Sequence, residues 1–127
     1  MTSPSQCRFA ESHEWFTADG DVVTMGISQF AANELTDITY VEVKPASTTI
    51  AAGDPIGEVE SVKTTSDIYS AVGGEIVEVN QAVCDDPSLI NSDPFGAGWL
   101  VKIRAADTSV LAELMDQPTY DGKYPID

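Results

Sequence analysis

The stretch IGEVESVKTTSDIYSAVGGEIVEVN, Ile56 through Asn80, decides the architecture. Ile56–Val62 and Asp67–Val72 read as two strands, and the short polar break Lys63-Thr64-Thr65-Ser66 separates them. That is the pattern of a hairpin, with Lys63 at or beside its tip. Gly73-Gly74 then turns the chain into a third strand, Glu75–Asn80.

Similar elements lie on both sides of this block. Upstream, the Asp19-Gly20-Asp21 turn announces a strand with Val23, Met25 and Ile27 on one face. Ser28 can cap a short helix bearing Phe30, Ala31 and Leu35, which should stop near Thr36. Ile38–Lys44 is a strand rich in β-branched residues that Pro45 ends, and Ala52-Gly53-Asp54-Pro55 turns the chain into the hairpin. Downstream, Trp99, Val101 and Ile103 alternate with Leu100, Lys102 and Arg104 in one more strand. After Asp107 or Thr108 as cap, Val110, Leu111, Leu114 and Met115 suit a helix ending before Pro118. Asp85 and Asp86 fall in a turn bounded by Pro87.

Many short strands broken by Gly, Pro and Asp turns indicate a mainly β sandwich or flattened barrel with a few short helices. The 127 residues suffice for one core. The expected organisation is a flexible tail over 1–8, one folded domain over 9–117 and an irregular segment over 118–127, where Gly122 and Pro125 disfavour helix.

Six basic residues against 21 acidic ones leave a formal charge of −15, which repels nucleic acid and anionic lipid surfaces. No apolar run approaches the roughly 20 residues that span a bilayer. Cys7 and Cys84 lack the spacing of a zinc or dithiol site and are read as reduced thiols. The first residues carry neither a secretory nor an Arg-rich transit signal, so a cytoplasmic setting is expected, or a mitochondrial matrix one if a transit peptide has been removed.

Only four lysines occur: Lys44, Lys63, Lys102 and Lys123. A lysine in a polar turn is ordinarily a solvated turn residue, and spacing alone gives Lys63 no special role. Its setting is nonetheless distinctive, an ammonium at a hairpin apex with Glu58, Glu60 and Asp67 on the two arms. His13, the only histidine, suits a hydrogen-bonded structural role, and no catalysis is assigned to it.

The wording of the segment adds what spacing does not. Glu60-Ser61-Val62-Lys63, Ser66-Asp67-Ile68-Tyr69-Ser70 and Gly74 through Asn80 closely resemble the lipoylation segment of the glycine cleavage H-protein family. The resemblance extends over about residues 9 to 115, through Ser12-His13-Glu14-Trp15, Gly26-Ile27, Asp37 through Val41, Leu89 through Phe95 and Gly98-Trp99-Leu100. It implies a hybrid barrel-sandwich fold whose hairpin lysine, here Lys63, carries lipoate in amide linkage. It also implies a monomeric shuttle that is not itself an enzyme. The carrier takes the aminomethyl group of glycine from a glycine decarboxylase (P protein) to an aminomethyltransferase (T protein), and a dihydrolipoyl dehydrogenase (L protein) reoxidises the arm. A lipoylating enzyme attaches the arm. The family holds the loaded arm in a cleft, and Ser12, Glu14 and Asp67 occupy the matching positions. Glu34 stands where some members place a histidine, and Thr64 and Thr65 replace small residues common in the family.

Other readings stay open on sequence alone. A biotinyl carrier also uses a hairpin lysine, although Val62 and Thr64 are not its usual flanking methionines. A lipoyl-relay H protein, donating lipoate to 2-oxoacid dehydrogenases, would use the same Lys63. A hydrolase with Glu58 and Glu60, or Asp85 and Asp86, as its acid/base pair would need surroundings that no motif here provides.

Overall fold

A computed structural model of the chain describes residues 6–125; most of the tail expected over 1–8, and the last two residues of 118–127, lie outside the described residues. The chain folds into two antiparallel sheets. The larger contains β1 (Arg8–Phe9), β2 (Glu14–Asp19), β3 (Val22–Ile27), β5 (Thr49–Ile50), β8 (Gly74–Val79) and β9 (Val101–Ala105), in the order β1-β2-β3-β9-β8-β5. The smaller contains β4 (Ile38–Val43), β6 (Pro55–Ser61) and β7 (Thr65–Tyr69), in the order β4-β6-β7. This is the mainly β architecture that the strand pattern implied, in the barrel-sandwich form that the family resemblance implied.

Alternation along the strands builds the core. Val23 and Met25 of β3, Val101 and Ile103 of β9 and Ile76 of β8 face Val41, Ile56, Val59 and Ile68 from the smaller sheet, all buried. Each fully buried aliphatic side chain contributes about 1.5–3 kcal/mol of transfer free energy. A second, aromatic cluster closes one end: Phe9, Trp15 and Tyr120 are buried together with Cys7, and Phe30, Phe95, Trp99 and Tyr124 pack against them. Gly26 lies opposite Trp15 in the β2–β3 ladder. A Cβ there would sit 2.8 Å from the indole nitrogen. Only glycine lets the indole lie flat and donate to the Pro94 carbonyl at 3.0 Å.

The short helices follow local chemistry. Ser28 caps α1 (Gln29–Leu35) by accepting the Ala31 amide at 3.1 Å, as expected of it, and α1 ends at Thr36. Asn80 caps α2 (Gln81–Asp85), which α3 (Ser88–Ser92) follows. The turn expected around Asp85 and Asp86 is thus the junction of two helices, with Asp86 accepting the Ser88 amide at 3.3 Å.

Two expectations near the C-terminus are corrected. The helix anticipated over Val110–Met115 is a single 3₁₀ stretch, Ser109–Glu113, because Leu114 turns extended and Met115 pairs with Phe9 through two main-chain hydrogen bonds of 2.8 and 3.1 Å. The segment expected to be irregular from 118 onward instead carries α4 (Gln117–Lys123). Asp116 caps α4 by accepting the Thr119 amide at 3.0 Å, Pro118 sits in the first turn where no amide is needed, and buried Tyr120 anchors the helix. Together they outweigh the roughly 1 kcal/mol propensity cost of Gly122. Nor does order wait until Phe9: Cys7 is already buried and Arg8 already belongs to β1.

Candidate functional site

Lys63 stands at the β6–β7 tip, exposed, in a turn that Ser61 organises. The Ser61 hydroxyl oxygen accepts the amides of Lys63 at 3.1 Å and Thr64 at 3.2 Å, while the Ser61 amide donates to the Thr64 carbonyl at 2.8 Å. The tip does not stand free of the body. The Val62 amide donates to the Asp37 carbonyl at 3.1 Å, and the Lys63 ammonium donates to the Glu34 carbonyl at 3.2 Å. That carbonyl belongs to the last turn of α1, which has no basic residue of its own. Lys63 therefore supplies the cation that the negative end of a helix favours.

Beside this contact lies a cleft of about 180 Å³. Phe30, Ala31, Glu34 and Leu35 of α1 form one wall, Val59 of β6 and Ser66, Asp67 and Ile68 of β7 another, and Ser12, His13 and Glu14 close its end. All four candidates for the arm pocket, Ser12, Glu14, Asp67 and Glu34, border this one cleft, and Lys63 reaches its rim through the Glu34 carbonyl.

Glu14 is the buried charge-bearing group of the site, 1% exposed. A tight loop delivers it: the His13 amide donates to the Ala10 carbonyl and the Ala10 amide to the Glu14 carbonyl, both at 2.9 Å, with His13 at φ 77°. One Glu14 carboxylate oxygen accepts the Ser12 hydroxyl, and the other accepts the Tyr69 amide at 2.9 Å. Burial raises its pKa, and these two hydrogen bonds act in the opposite direction. Asp67 and Glu34 are exposed at the rim, with Asp67 accepting the Tyr69 hydroxyl at 3.3 Å. The cleft thus combines an apolar lining with a buried carboxylate at its end and two more at its mouth. Such a site suits a flexible aliphatic chain with a small cationic end.

His13 also borders the cleft. Its Nδ1 lies 2.7 Å from the Tyr120 hydroxyl, and its ring packs against Phe30 and Tyr124 at centroid distances of 4.9 and 4.7 Å. Burial lowers its pKa, with the Glu34 carboxylate pulling the other way. The hydrogen-bonded role expected of it is what the structure contains. Sequence reasoning did not anticipate that His13, Phe30 and Val59 share the cleft, since a helical stripe and a strand valine look like ordinary core. It did not anticipate Tyr120 either, although the Asp116-Gln117-Pro118 helix start was a legible signal.

Glu58, one of the residues considered for hydrolysis, lies on a larger, shallow groove of about 600 Å³ with Glu42, Lys44 and Asp67. Glu42, Glu58 and Asp67 stand directly opposite one another across β4, β6 and β7, a row of like charges on an open face. Asp85 and Asp86 lie at the α2–α3 junction and border neither concavity. Among the described residues no cluster of His, Cys, Asp and Glu is arranged to hold a metal ion, neither cysteine forms a disulfide, and no helix is long and apolar enough to cross a membrane.

The family model for the glycine cleavage H-protein matches residues 7–124. The chain is 50% identical over 108 residues to the glycine cleavage system H protein of Streptomyces avermitilis, covering 84% of this chain and 86% of that one. It is 42% identical over 120 residues to the H protein of Bacillus cereus, covering 94% of each. The crystal structure of a glycine cleavage system H protein from Mycobacterium marinum superposes with a TM-score of 0.87 at 37% identity, covering 98% of this chain and all of that one.

Proposed function

The chain belongs to the glycine cleavage H-protein family, and from that premise we propose that Lys63 carries lipoate in amide linkage and that the adjoining cleft holds the loaded arm between partner enzymes. The observation that carries this reading is one contact: the Lys63 ammonium reaches the Glu34 carbonyl at the rim of the cleft that Glu14 closes. An arm attached at Lys63 therefore begins where the cleft opens.

The residues present fit the group. Val62 and Lys63 are exposed at the tip, so the ammonium is open to an attaching enzyme once it leaves the Glu34 carbonyl. The aliphatic lining from Ile27, Leu35, Val59 and Ile68 suits a saturated chain. Bound there, lipoate supplies the sulfur pair that takes up and releases the aminomethyl group and cycles between disulfide and dithiol.

This chain's own part is to anchor, orient and shelter. Lys63 tethers the arm and gives it a high effective concentration at any active site that docks the carrier. Glu14, held by Ser12 and the Tyr69 amide, offers a fixed carboxylate to an ammonium brought into the cleft, and Asp67 and Glu34 extend the negative potential to its mouth. The lining limits the access of water. None of these groups breaks a covalent bond, so the protein acts as a shuttle for the decarboxylase, aminomethyltransferase and dihydrolipoyl dehydrogenase rather than as an enzyme. We place it in the cytoplasm or the mitochondrial matrix, where the thiols of Cys7 and Cys84 stay reduced.

Intact and peptide mass spectrometry of protein made together with a lipoylating enzyme tests the reading. A lipoyl increment on the Lys63 peptide, absent from Lys63→Arg, is expected. A biotin increment, or a lipoyl increment that survives Lys63→Arg, overturns it. A fully lipoylated carrier that glycine decarboxylase cannot load would point to lipoate relay instead.

A further inference from the structure

We propose that Tyr120 of α4 is a positioning residue for the arm cleft, its hydroxyl joining cleft-lining His13 to Ser28, the cap of cleft-lining α1. The inference rests on the reading that the cleft receives the loaded arm.

Tyr120 is 2% exposed, and its hydroxyl has two partners at 2.7 Å: His13 Nδ1 and Ser28 Oγ. Ser28 Oγ in turn accepts the Ala31 amide at 3.1 Å. A continuous chain of hydrogen bonds thus runs from an imidazole at the end of the cleft to the first turn of the helix that forms its wall. Phe30, Ala31, Glu34 and Leu35 all ride on that helix. The tyrosine ring is itself immobilised, stacked on Phe9 at 4.4 Å with the planes 14° apart.

The protons can be placed. With His13 neutral and its proton on Nε2, the Ser28 hydroxyl donates to Tyr120 and the Tyr120 hydroxyl donates to Nδ1, so every proton in the chain has an acceptor. A protonated His13 must donate from Nδ1 to the Tyr120 oxygen. The Tyr120 hydroxyl then turns to Ser28, and the Ser28 proton loses its acceptor within the chain. The network therefore favours a neutral imidazole and keeps a second cation out of a cleft built for one. The ionisable groups around His13 are Glu14 beside it in the chain, Glu34 on α1, and Tyr120 and Tyr124 on α4. Burial lowers the His13 pKa, in the same direction.

Tyr120→Phe removes the hydroxyl and keeps the stacked ring. Because His13 is the only histidine, its ring resonances in the unlipoylated full-length chain are unambiguous. Titration by NMR is expected to show a His13 midpoint in Tyr120→Phe displaced from that of the native chain, because the hydroxyl is the Nδ1 partner in both protonation states. In the lipoylated, aminomethyl-loaded carrier, loss of the aminomethyl group is expected to speed up roughly two- to tenfold, the weight of one hydrogen bond. Ser28→Ala, which interrupts the chain from the other side but leaves the Tyr120–His13 bond in place, is expected to speed aminomethyl loss in the same way and serves if Tyr120→Phe fails to fold. An unchanged midpoint in Tyr120→Phe, or an unchanged loss rate in either folded variant, overturns the proposal. Glu14→Ala is run beside them: if it too leaves the loss rate unchanged, the cleft reading itself fails, whereas acceleration by Glu14→Ala alone sinks only the role of Tyr120.

Discussion

The Lys63 ammonium donates to the Glu34 carbonyl at 3.2 Å across 29 residues of sequence, so the tip of one hairpin closes the C-terminal turn of α1. Acylation of Lys63 removes the charge and leaves a single N–H at the nitrogen, so the helix end loses its cation. The Thr36 amide, which donates to the Ala32 and Asn33 carbonyls at 3.1 and 3.3 Å, reports on that turn. Its hydrogen exchange is expected to rise about two- to fivefold on lipoylation, in line with roughly 0.3–1 kcal/mol for a charge at a helix end. Unchanged exchange would mean that the contact carries no energy.

Ser61 holds the turn that presents Lys63, with its hydroxyl oxygen accepting two turn amides. Ser61→Ala is expected to lower kcat/KM for enzymatic lipoylation about threefold to tenfold, because the lysine must be ordered at the moment of docking. Ser61→Thr should restore most of it. Thermal stability should change little, since the turn is exposed. Equal lipoylation rates for all three proteins would refute the role.

Glu14→Ala removes the carboxylate that partners the Ser12 hydroxyl and the Tyr69 amide. Stranding those donors is expected to cost about 1–3 kcal/mol in urea denaturation. The same variant should lose the aminomethyl group faster once loaded. Normal retention would separate the carboxylate's structural role from any role in the cleft.

The pH dependence of stability should carry the signature of His13. Its folded pKa lies below the ordinary histidine value of 6.5, so the folded state binds fewer protons than the unfolded state in this range. Its contribution is fully present above pH 6.5 and is lost as the pH falls from there through the lowered folded value. Chemical denaturation of the native chain and His13→Gln between pH 5 and 8 is expected to show a steeper acid-side decline for the native chain. Parallel profiles would contradict the assignment.

Gly57 lets β4 and β6 approach at the root of the Lys63 hairpin. A Cβ there would lie 2.1 Å from the Glu42 carbonyl oxygen and 2.7 Å from the Val43 Cα, and main chain cannot swing aside as a side chain can. Gly57→Ala is expected to destabilise by about 2 kcal/mol or more. A thermal melt matching that of the native chain would show that the sheet gives way cheaply.

Several of these features were legible in the amino acids because their causes are local. The Ser28 cap depends on one hydroxyl and an amide three residues on, the hairpin on a polar break between two strand segments, and the exposed lysine on its place in that break. The C-terminal end was misjudged for the opposite reason. Gly122 and Pro125 speak against helix, while the decisive burial of Tyr120 against Phe9 joins residues from the two ends of the chain. Likewise, a helix over Val110–Met115 agrees with the apolar spacing, but pairing of Met115 with Phe9 draws the chain out of it.

The sequence by itself determined a mainly β body, a hairpin with Lys63 at its tip and, through the wording around that lysine, the family. Period-two alternation and turn residues act over a few positions, and the wording that marks the family lies in residues contiguous along the chain. Only the tertiary structure decided that Ser12, Glu14, Glu34 and Asp67 border one cleft and that Lys63 leans on its rim. It also decided that a tyrosine from the last helix braces the cleft wall. A cleft is made where two sheets and a helix meet, and which side chains meet there depends on strand register and packing between segments tens of residues apart.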